Sequence, residues 1–274
     1  PPKEYDQAEK EQLQRQWKEE RDNPQWRRGD FAYSWQGNGM LKAVTTPDGK
    51  KITFEYDALG RRTAKVCKER INRYLWDGNV LLHEWEYTPA DRPRPVADEL
   101  GRLRIAPEPV DNVVTWVYED GSYVPSAKLV DDERYSIVSD YMGRPVQAYD
   151  DMGIVVWQTD YDMYGGLRNL KGEREFIPFR QLGQYEDQET ELYYNRFRYY
   201  DPNIGSYINQ DPIGLEGNNP TLYGFVRDSN TQLDIYGLSK DCIITNSAGD
   251  EVTRRYVKNQ EELLAEIRDL LKNK

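Results

Sequence analysis

This chain has few of the residues on which many enzyme sites and small stable folds depend. Among its 274 residues there are one histidine and two cysteines. A single imidazole cannot build a multi-histidine metal site, and it leaves serine–histidine or cysteine–histidine catalysis one candidate base. Two cysteines far apart in the chain, Cys67 and Cys242, provide no disulfide framework. The fold must therefore be stable without cross-links, and we expect neither a metal nor another cofactor.

Excess positive charge and long apolar runs are also missing. The formal net charge is -11, whereas binding to a phosphate backbone needs clusters of Lys and Arg. We therefore expect no nucleic-acid binding by residues 1–238. No run of about 18 apolar residues is present, so we expect no membrane span, and the polar N-terminus is not a signal peptide. Because the chain starts at Pro1 without a methionine, we expect it to be part of a longer protein.

Aromatic residues, by contrast, are abundant at 12%, and tyrosine alone supplies 21 residues. Many of them lie in β-branched or aromatic runs that end in an Asp/Gly turn, which is the pattern of successive β-hairpins. Each unit has one face that it cannot bury alone, so neighbours must stack into a continuous sheet. We therefore predict a mainly β fold. Such runs occupy residues 53–56, 74–76, 80–82, 136–138, 146–149 and 155–161.

The segments around these hairpins differ in composition. Residues 4–22 are rich in Glu, Gln, Lys and Arg without Gly or Pro, which favours a helix, either a solvated connector or a docking helix. Five prolines within residues 88–109 predict a surface loop. In the tail, two short strand patterns and a helix with a capping box at residues 259–262 predict a small ββα unit. The predicted domains are a helical connector (1–30), a β-rich region (31–238) and a distinct C-terminal region (239–274).

Two similar motifs close the β-rich region: Asp211-Pro-Ile-Gly-Leu215 and Asp234-Ile-Tyr-Gly-Leu238. With Tyr-Asp and Gly-Arg units such as Tyr56 to Arg62, they resemble the C-terminal part of Rhs (YD-repeat) proteins. The resemblance covers roughly residues 38–238, and residues 183–238 are similar to the Rhs-associated core. It implies a hollow β-shell, of which this chain forms a rolled part, around a C-terminal polymorphic toxin. It also implies an aspartyl autoprotease that cuts after the second Gly-Leu.

The two aspartates allow two interpretations. Two carboxylates held within a few ångströms cannot both ionise, so one serves as acid and the other as base. Asp and Gly are also ordinary turn residues, so Asp211 and Asp234 could both have no role beyond forming turns. The resemblance favours a catalytic pair, Asp211 and Asp234, that makes a single cut between Leu238 and Ser239. Motif support then comes from Gly214, Leu215 and Gly237.

This sequence departs from the family pattern at two places. The second motif usually reads Asp-Pro-Leu-Gly-Leu, but Ile235 and Tyr236 stand here, and without the proline we expect slow cleavage. The family also tends to have an arginine near the first aspartate. Gln210 occupies that place, so Arg196 or Arg198 could serve only if the fold returns one of them.

The remaining candidates for chemistry are interpreted as structural. His83 lies within a strand pattern, where a packing role is the simpler explanation. The pairs Tyr193-Tyr194 and Tyr199-Tyr200 could stack on a sugar or a base, but cross-strand packing is their more common use.

The resemblance implies that the chain encapsulates and delivers a toxin in bacterial contact-dependent or type VI secretion, after synthesis in the cytoplasm. Its implied partners are the remainder of the shell, the toxin, an immunity protein and components of a secretion apparatus. Two alternatives remain: a non-catalytic YD-repeat surface or adhesion scaffold, and a toxin enzyme in the tail. Residues 239–274 contain equal numbers of acidic and basic residues and no histidine. This composition argues against a complete nuclease in that region. We expect them to be the start or a remnant of a toxin.

Overall fold

The computed structural model describes residues 6–22, 26–217, 219, 221–238 and 241–242, and these residues form a mainly β structure. One helix, α1 (Gln7–Asp22), precedes the strands, as predicted for that region. The strands are β1 (Ala32–Trp35), β2 (Leu41–Thr45), β3 (Lys51–Tyr56), β4 (Arg62–Val66), β5 (Ile71–Asp77), β6 (Val80–Tyr87), β7 (Val96–Ala97), β8 (Leu103–Arg104), β9 (Val114–Tyr118), β10 (Pro125–Val130), β11 (Glu133–Ser139), β12 (Pro145–Tyr149), β13 (Val155–Tyr161), β14 (Leu167–Lys171), β15 (Tyr185–Asp187), β16 (Leu192–Asn195), β17 (Arg198–Asp201), β18 (Ser206–Tyr207), β19 (Gln232–Leu233) and β20 (Asp241–Cys242).

Most of these strands belong to one large antiparallel sheet. Within the described residues its order is β1 to β6 and then β9 to β14, so strands that follow each other in the chain are also hydrogen-bonded neighbours. Only β7 and β8 leave this order, as a separate two-stranded ladder between β6 and β9. The predicted succession of hairpins is therefore confirmed, and so is the mainly β fold class.

The turns between the strands repeat one local arrangement. At Asp57 the side-chain Oδ1 accepts hydrogen bonds from the backbone N–H groups of Leu59 and Arg61, both at 2.9 Å. The Nε of Arg61 lies 2.6 Å from the other carboxylate oxygen, and Gly60 supplies a left-handed φ of 73° that closes the turn. Asp140 makes the same set of bonds to the residues that follow it. Each Asp-x-x-Gly-Arg turn is therefore a self-contained hairpin signal.

A smaller sheet of β15 to β18 packs against the large one, and its central strands are buried on both faces. Tyr194 and Tyr199 pair across β16 and β17 and contact the large sheet, where the Tyr199 hydroxyl lies 2.8 Å from that of Tyr56. Tyr193 and Tyr200 pair in the same way on the opposite face. These tyrosines form cross-strand pairs in the protein core, which confirms their structural interpretation.

A buried ion pair joins the two sheets. Arg62 on β4 and Asp187 on β15 contact each other with side chains that are 1% and 0% exposed. Lys65 adds a second cation, with its Nζ 3.3 Å from Asp187 Oδ1. The Arg62 guanidinium also lies over the rings of Tyr74 and Tyr194, 4.6 Å from each centroid. Removing one partner of such a pair typically costs about 3–5 kcal/mol, because the other charge stays buried.

The proline-rich segment is at the surface, as predicted, but it is not entirely irregular. It contains a short 3-10 turn at Pro89–Asp91 and the β7–β8 ladder, whose residues are exposed. No helix in the described part of the chain is long and apolar enough to span a membrane. The predicted ββα unit lies outside the described residues except at β20, and the three domain boundaries stay predictions.

The open edges of the large sheet generate a testable prediction. Within the described ranges, no strand pairs with the outer edge of β1 or of β14. Unpaired edges are templates for pairing with other strands. We expect a fragment of residues 24–238 to self-associate and to be cut readily by protease, as checked by sedimentation velocity and limited proteolysis. A compact, protease-resistant monomer would show that the edges need no further strands.

Candidate active site

Three segments that are distant in sequence meet at one buried arginine. Arg198 begins β17, Asp211 follows β18, and Asp234 comes directly after β19. The Nη2 of Arg198 lies 3.1 Å from Asp211 Oδ2 and 2.9 Å from Asp234 Oδ2. The two carboxylate oxygens can therefore lie no further apart than those two distances together. All three side chains are at most 1% exposed, so solvent does little to screen their charges.

The rest of the Arg198 guanidinium is also engaged. Its Nε donates to the carbonyl oxygen of Gly237, and its Nη1 donates to that of Gly224 at 3.3 Å. Its carbon lies 3.7 Å from the ring centroid of Tyr207, a cation–π distance. Of the two candidate arginines, the fold thus returns Arg198 to the aspartates. Arg196 instead donates to the carbonyl oxygen of Leu59.

Asp234 contacts the residue that precedes the predicted cut. Its Oδ1 accepts a hydrogen bond of 2.9 Å from the backbone N–H of Leu238. Its Oδ2 accepts one of 3.0 Å from the Tyr207 hydroxyl, and its carbonyl oxygen accepts one of 2.7 Å from Asn195 Nδ2. The Leu238 side chain is fully buried in a cluster that includes Met40. The chain therefore folds back so that its own carboxylate holds Leu238.

Asp211 is held differently. Its Oδ1 accepts a hydrogen bond of 3.0 Å from the backbone N–H of Ile213. Burial raises the pKa of Asp211 to about 6, an effect to which Asp234 adds and which Arg198 opposes. The main physical reason is that a buried carboxylate loses the hydration that stabilises its charge, and the nearby Asp234 carboxylate adds a smaller effect.

The glycines and leucines of the two motifs have unequal roles. Gly237 has a left-handed φ of 68°, and a Cβ there would lie 2.6 Å from the carbonyl oxygen of Asn195. Only glycine fits that place without a shift of the backbone. Gly214 closes the turn at Asp211 by donating to its carbonyl oxygen. Leu215 is 62% exposed and takes no part in the cluster.

The predicted scissile bond lies in a short connection between paired strands. β19 pairs antiparallel with β20, with Gln232 opposite Cys242 and Leu233 opposite Asp241. Leu238, the residue before the predicted cut, thus lies in the loop of residues 234–238 that follows β19. Ser239 itself lies outside the described residues. The roles of Asp211 and Asp234 as catalysts stay predictions, but the fold brings both carboxylates to this loop.

Sequence reasoning missed three side chains of this region. Tyr207 and Asn195 both bind Asp234, and the Asn195 Nδ2 also donates to the Tyr207 hydroxyl at 2.7 Å. Tyr236 ties the loop to the large sheet, because its hydroxyl lies 2.6 Å from that of Tyr123 and accepts from Asn79 at 2.9 Å. The only sequence signal for Tyr236 was its departure from the usual motif.

Comparison with known proteins agrees with this architecture. The family model named teneurin YD-shell matches residues 4–225. The chain is 31% identical over 222 residues to "Probable deoxyribonuclease RhsB" of Dickeya dadantii and 33% identical over 205 residues to "Toxin protein Tse5" of Pseudomonas aeruginosa. These matches cover 79% and 67% of this chain but only 14% and 15% of the relatives.

A solved structure shows the same fold. The crystal structure of TcdB2-TccC3 matches 76% of this chain, and 10% of that chain, with a TM-score of 0.58 at 22% identity. The class that the fold defines is thus a YD-shell segment. The chain belongs to the Rhs (YD-repeat) family, as the motifs indicated, and its relatives include toxins.

The position of His83 leads to a second prediction. Its Nδ1 lies 2.9 Å from the Thr115 hydroxyl on the neighbouring strand β9, whereas the aspartate cluster is held by Arg198. We expect His83→Gln to leave the rate of any self-cleavage unchanged, as measured by denaturing electrophoresis over time. A tenfold loss, about 1.4 kcal/mol in the barrier, would place an imidazole in the chemistry.

Proposed function

We propose that this chain is a segment of an Rhs shell that encloses a C-terminal toxin and cuts itself once after Leu238. Asp211 and Asp234 would be the aspartic peptidase pair. One observation carries this proposal: both carboxylates contact the same nitrogen of Arg198, and one of them also binds the amide N–H of Leu238.

The surroundings of the two carboxylates favour different roles. Asp234 accepts hydrogen bonds from Tyr207 and Leu238 and forms an ion pair with Arg198. Such partners stabilise a carboxylate anion. Asp211, with its pKa raised to about 6, would hold the proton. The ionised carboxylate would take a proton from water as the water adds to the carbonyl carbon of Leu238. The protonated one would give its proton to the departing nitrogen of Ser239 as the C–N bond breaks.

A modest catalytic pair suffices for a single cut. The scissile bond lies in the same loop as Asp234, so its effective concentration is far above that of a free peptide. Arg198 restrains this loop by binding the Gly237 carbonyl, and Tyr236 restrains it from the side of the large sheet. The reaction would end after one turnover, because the substrate is the chain itself.

The wider role in delivery is inferred from the relatives. One is named a toxin protein and another, "Double-stranded DNA deaminase toxin A" of Burkholderia cenocepacia, is 30% identical over 232 residues. The described residues are shell, so the toxic activity would lie beyond them, with residues 239–274 as the start or remnant of that region. Its partners would be the rest of the shell, the toxin, an immunity protein and a secretion apparatus of the type VI or contact-dependent kind. The protein would be made in the bacterial cytoplasm and then secreted or delivered.

One observation favours a second candidate, a non-catalytic shell scaffold. Asp211 accepts a hydrogen bond from the N–H two residues further on, as ordinary turn aspartates do, and Arg198 neutralises part of the charge of the pair. In that case the cluster would only fasten the end of the shell. The intact mass of the purified chain separates the candidates, because only a peptidase yields a product that ends at Leu238.

Substitution of the pair tests the catalytic roles. We expect Asp211→Asn and Asp234→Asn each to leave the chain uncut, because an amide can neither release nor accept the required proton. In the wild type, Ser239 should be the new N-terminus. Denaturing electrophoresis and N-terminal sequencing measure both outcomes.

Asp201→Asn is the matched control. Asp201 also binds the N–H two residues further on, at 2.8 Å from Asn203, but no arginine within the described residues pairs with it. This variant should be cut like the wild type. Cleavage of both pair variants at the wild-type rate would eliminate the peptidase and leave the scaffold.

The raised pKa of Asp211 predicts a pH dependence of stability. An unfolded Asp titrates near pH 4, whereas Asp211 in the folded chain titrates at about 6. The folded state therefore binds an extra proton between these values, and the free energy of unfolding should fall as pH rises from about 4 to about 6, by at most about 3 kcal/mol. Asp211→Asn should lack this component. Urea denaturation of both proteins at pH 4 to 7 checks it, and equal pH profiles would contradict it.

A further inference from the structure

A second buried cation, Arg196, lies near Ile235 and Tyr236 in the segment that leads to Leu238, but outside the aspartate cluster. Arg196 is 6% exposed and occupies the turn between β16 and β17 with a left-handed φ of 56°. Its side chain lines a cavity of about 40 Å³ between the large sheet and the core. Polar walls of this cavity are also formed by Asn79, Tyr123, Gln184 and Tyr236, and aromatic and aliphatic residues such as Trp76, Leu81 and Phe179 form much of the rest.

Arg196 has donors left over and no carboxylate of its own. Its Nη2 donates to the carbonyl oxygen of Leu59 at 3.0 Å and lies 3.5 Å from Asn79 Oδ1. No acceptor in the described part of the chain lies within hydrogen-bond reach of its Nε or Nη1. Asp57 is the carboxylate that most affects it, yet Asp57 is bound by Arg61 at 2.6 Å. Burial lowers the pKa of Arg196 accordingly. The Arg196 guanidinium also lies over the rings of Trp76 and Phe197, 5.9 Å and 5.7 Å from their centroids, but no ion pair compensates its charge. A buried charge without a counterion is costly, and proteins rarely leave one so.

The neighbouring side chains also contribute donors rather than acceptors. The Nε2 of Gln184, a residue that is 1% exposed, has no acceptor among the described residues. Tyr123 and Tyr236 share one hydrogen bond, and Tyr236 already accepts from Asn79. Each tyrosine hydroxyl carries one proton, but the two hydroxyls share a single hydrogen bond. Whichever of them donates in that bond, the proton of the other hydroxyl has no acceptor in this pair. Unmatched N–H and O–H donors of Arg196, Gln184 and one of the two tyrosines therefore lie around the cavity.

We propose that this cavity binds one small monovalent inorganic anion of the size of chloride. The volume suffices for one such ion, since a single water needs at least about 10–15 Å³. An anion accepts from all of the unmatched donors and compensates the Arg196 charge. A water molecule would compensate no charge and would need acceptors for its own two protons. Because Tyr236 forms one wall, the bound anion also fixes the segment that leads to Leu238. The site does not depend on self-cleavage.

Bromide gives a direct test of occupancy. Bromide replaces chloride in such sites and scatters anomalously, so crystals of the full chain grown in sodium bromide should show an anomalous peak beside Arg196 Nε and Nη1. Ordered water there without anomalous signal would overturn the proposal. This measurement uses the unaltered chain and so does not require any variant to fold.

Thermal unfolding gives an independent test in solution. At equal ionic strength, sodium chloride should raise the Tm of the full chain above its value in sodium gluconate by about 2–4 °C. Arg196→Met should lose this difference. Arg94→Met, which changes an exposed arginine that does not line the cavity, should retain it. An equal chloride effect in all three proteins would mean that the salt acts elsewhere, and the proposal would fail.

Discussion

The end of this shell segment depends on one buried guanidinium. Arg198 binds two carboxylates, the carbonyl oxygens of Gly224 and Gly237, and the face of Tyr207. Its partners come from segments that are separated by many residues, so the cluster forms only when the core has folded. A buried charge is stabilising only where its partners satisfy it. Burial is the main cause of the raised pKa of Asp211, and the second carboxylate of the cluster adds to it.

The same principle distinguishes the buried arginines. Arg62 has Asp187, and Arg180 has Glu186, each in a nearly solvent-free ion pair. These pairs fasten the small sheet to the large one and fix the loops that lead to β15. Arg196 is buried to a similar degree but faces no carboxylate of its own. Because Arg196 lacks the ion pair that Arg62 and Arg180 have, its surroundings are the place in the core where a bound anion would supply the missing negative charge.

Local and tertiary contacts are divided between the two sheets. In the large sheet, each Asp-x-x-Gly-Arg turn makes its bonds within five residues, and each strand pairs with the next one in the chain or across the β7–β8 excursion. In the small sheet, the central strands are buried on both faces and depend on what covers them. Tyr56 and Tyr199, for example, meet through their hydroxyls from opposite sheets. The strands of the large sheet can thus be predicted from local sequence patterns. The packing of the small sheet cannot, because it depends on contacts that form only in the folded molecule.

The sequence by itself determined the hairpins, the turn residues, the helix at Gln7–Asp22 and the surface course of the proline-rich segment. Each rests on propensities and on bonds between residues close in the chain. It also pointed to Asp211 and Asp234, through repeated motifs and a family resemblance. Only the tertiary structure chose Arg198 over Arg196. The turn at Arg196 has a positive φ, which breaks the alternation of a strand, so the sequence pattern could not say which side chain faces the aspartates. Tyr207, Asn195 and Tyr236 were likewise beyond the sequence, because their partners lie on other strands and loops that come together only on folding.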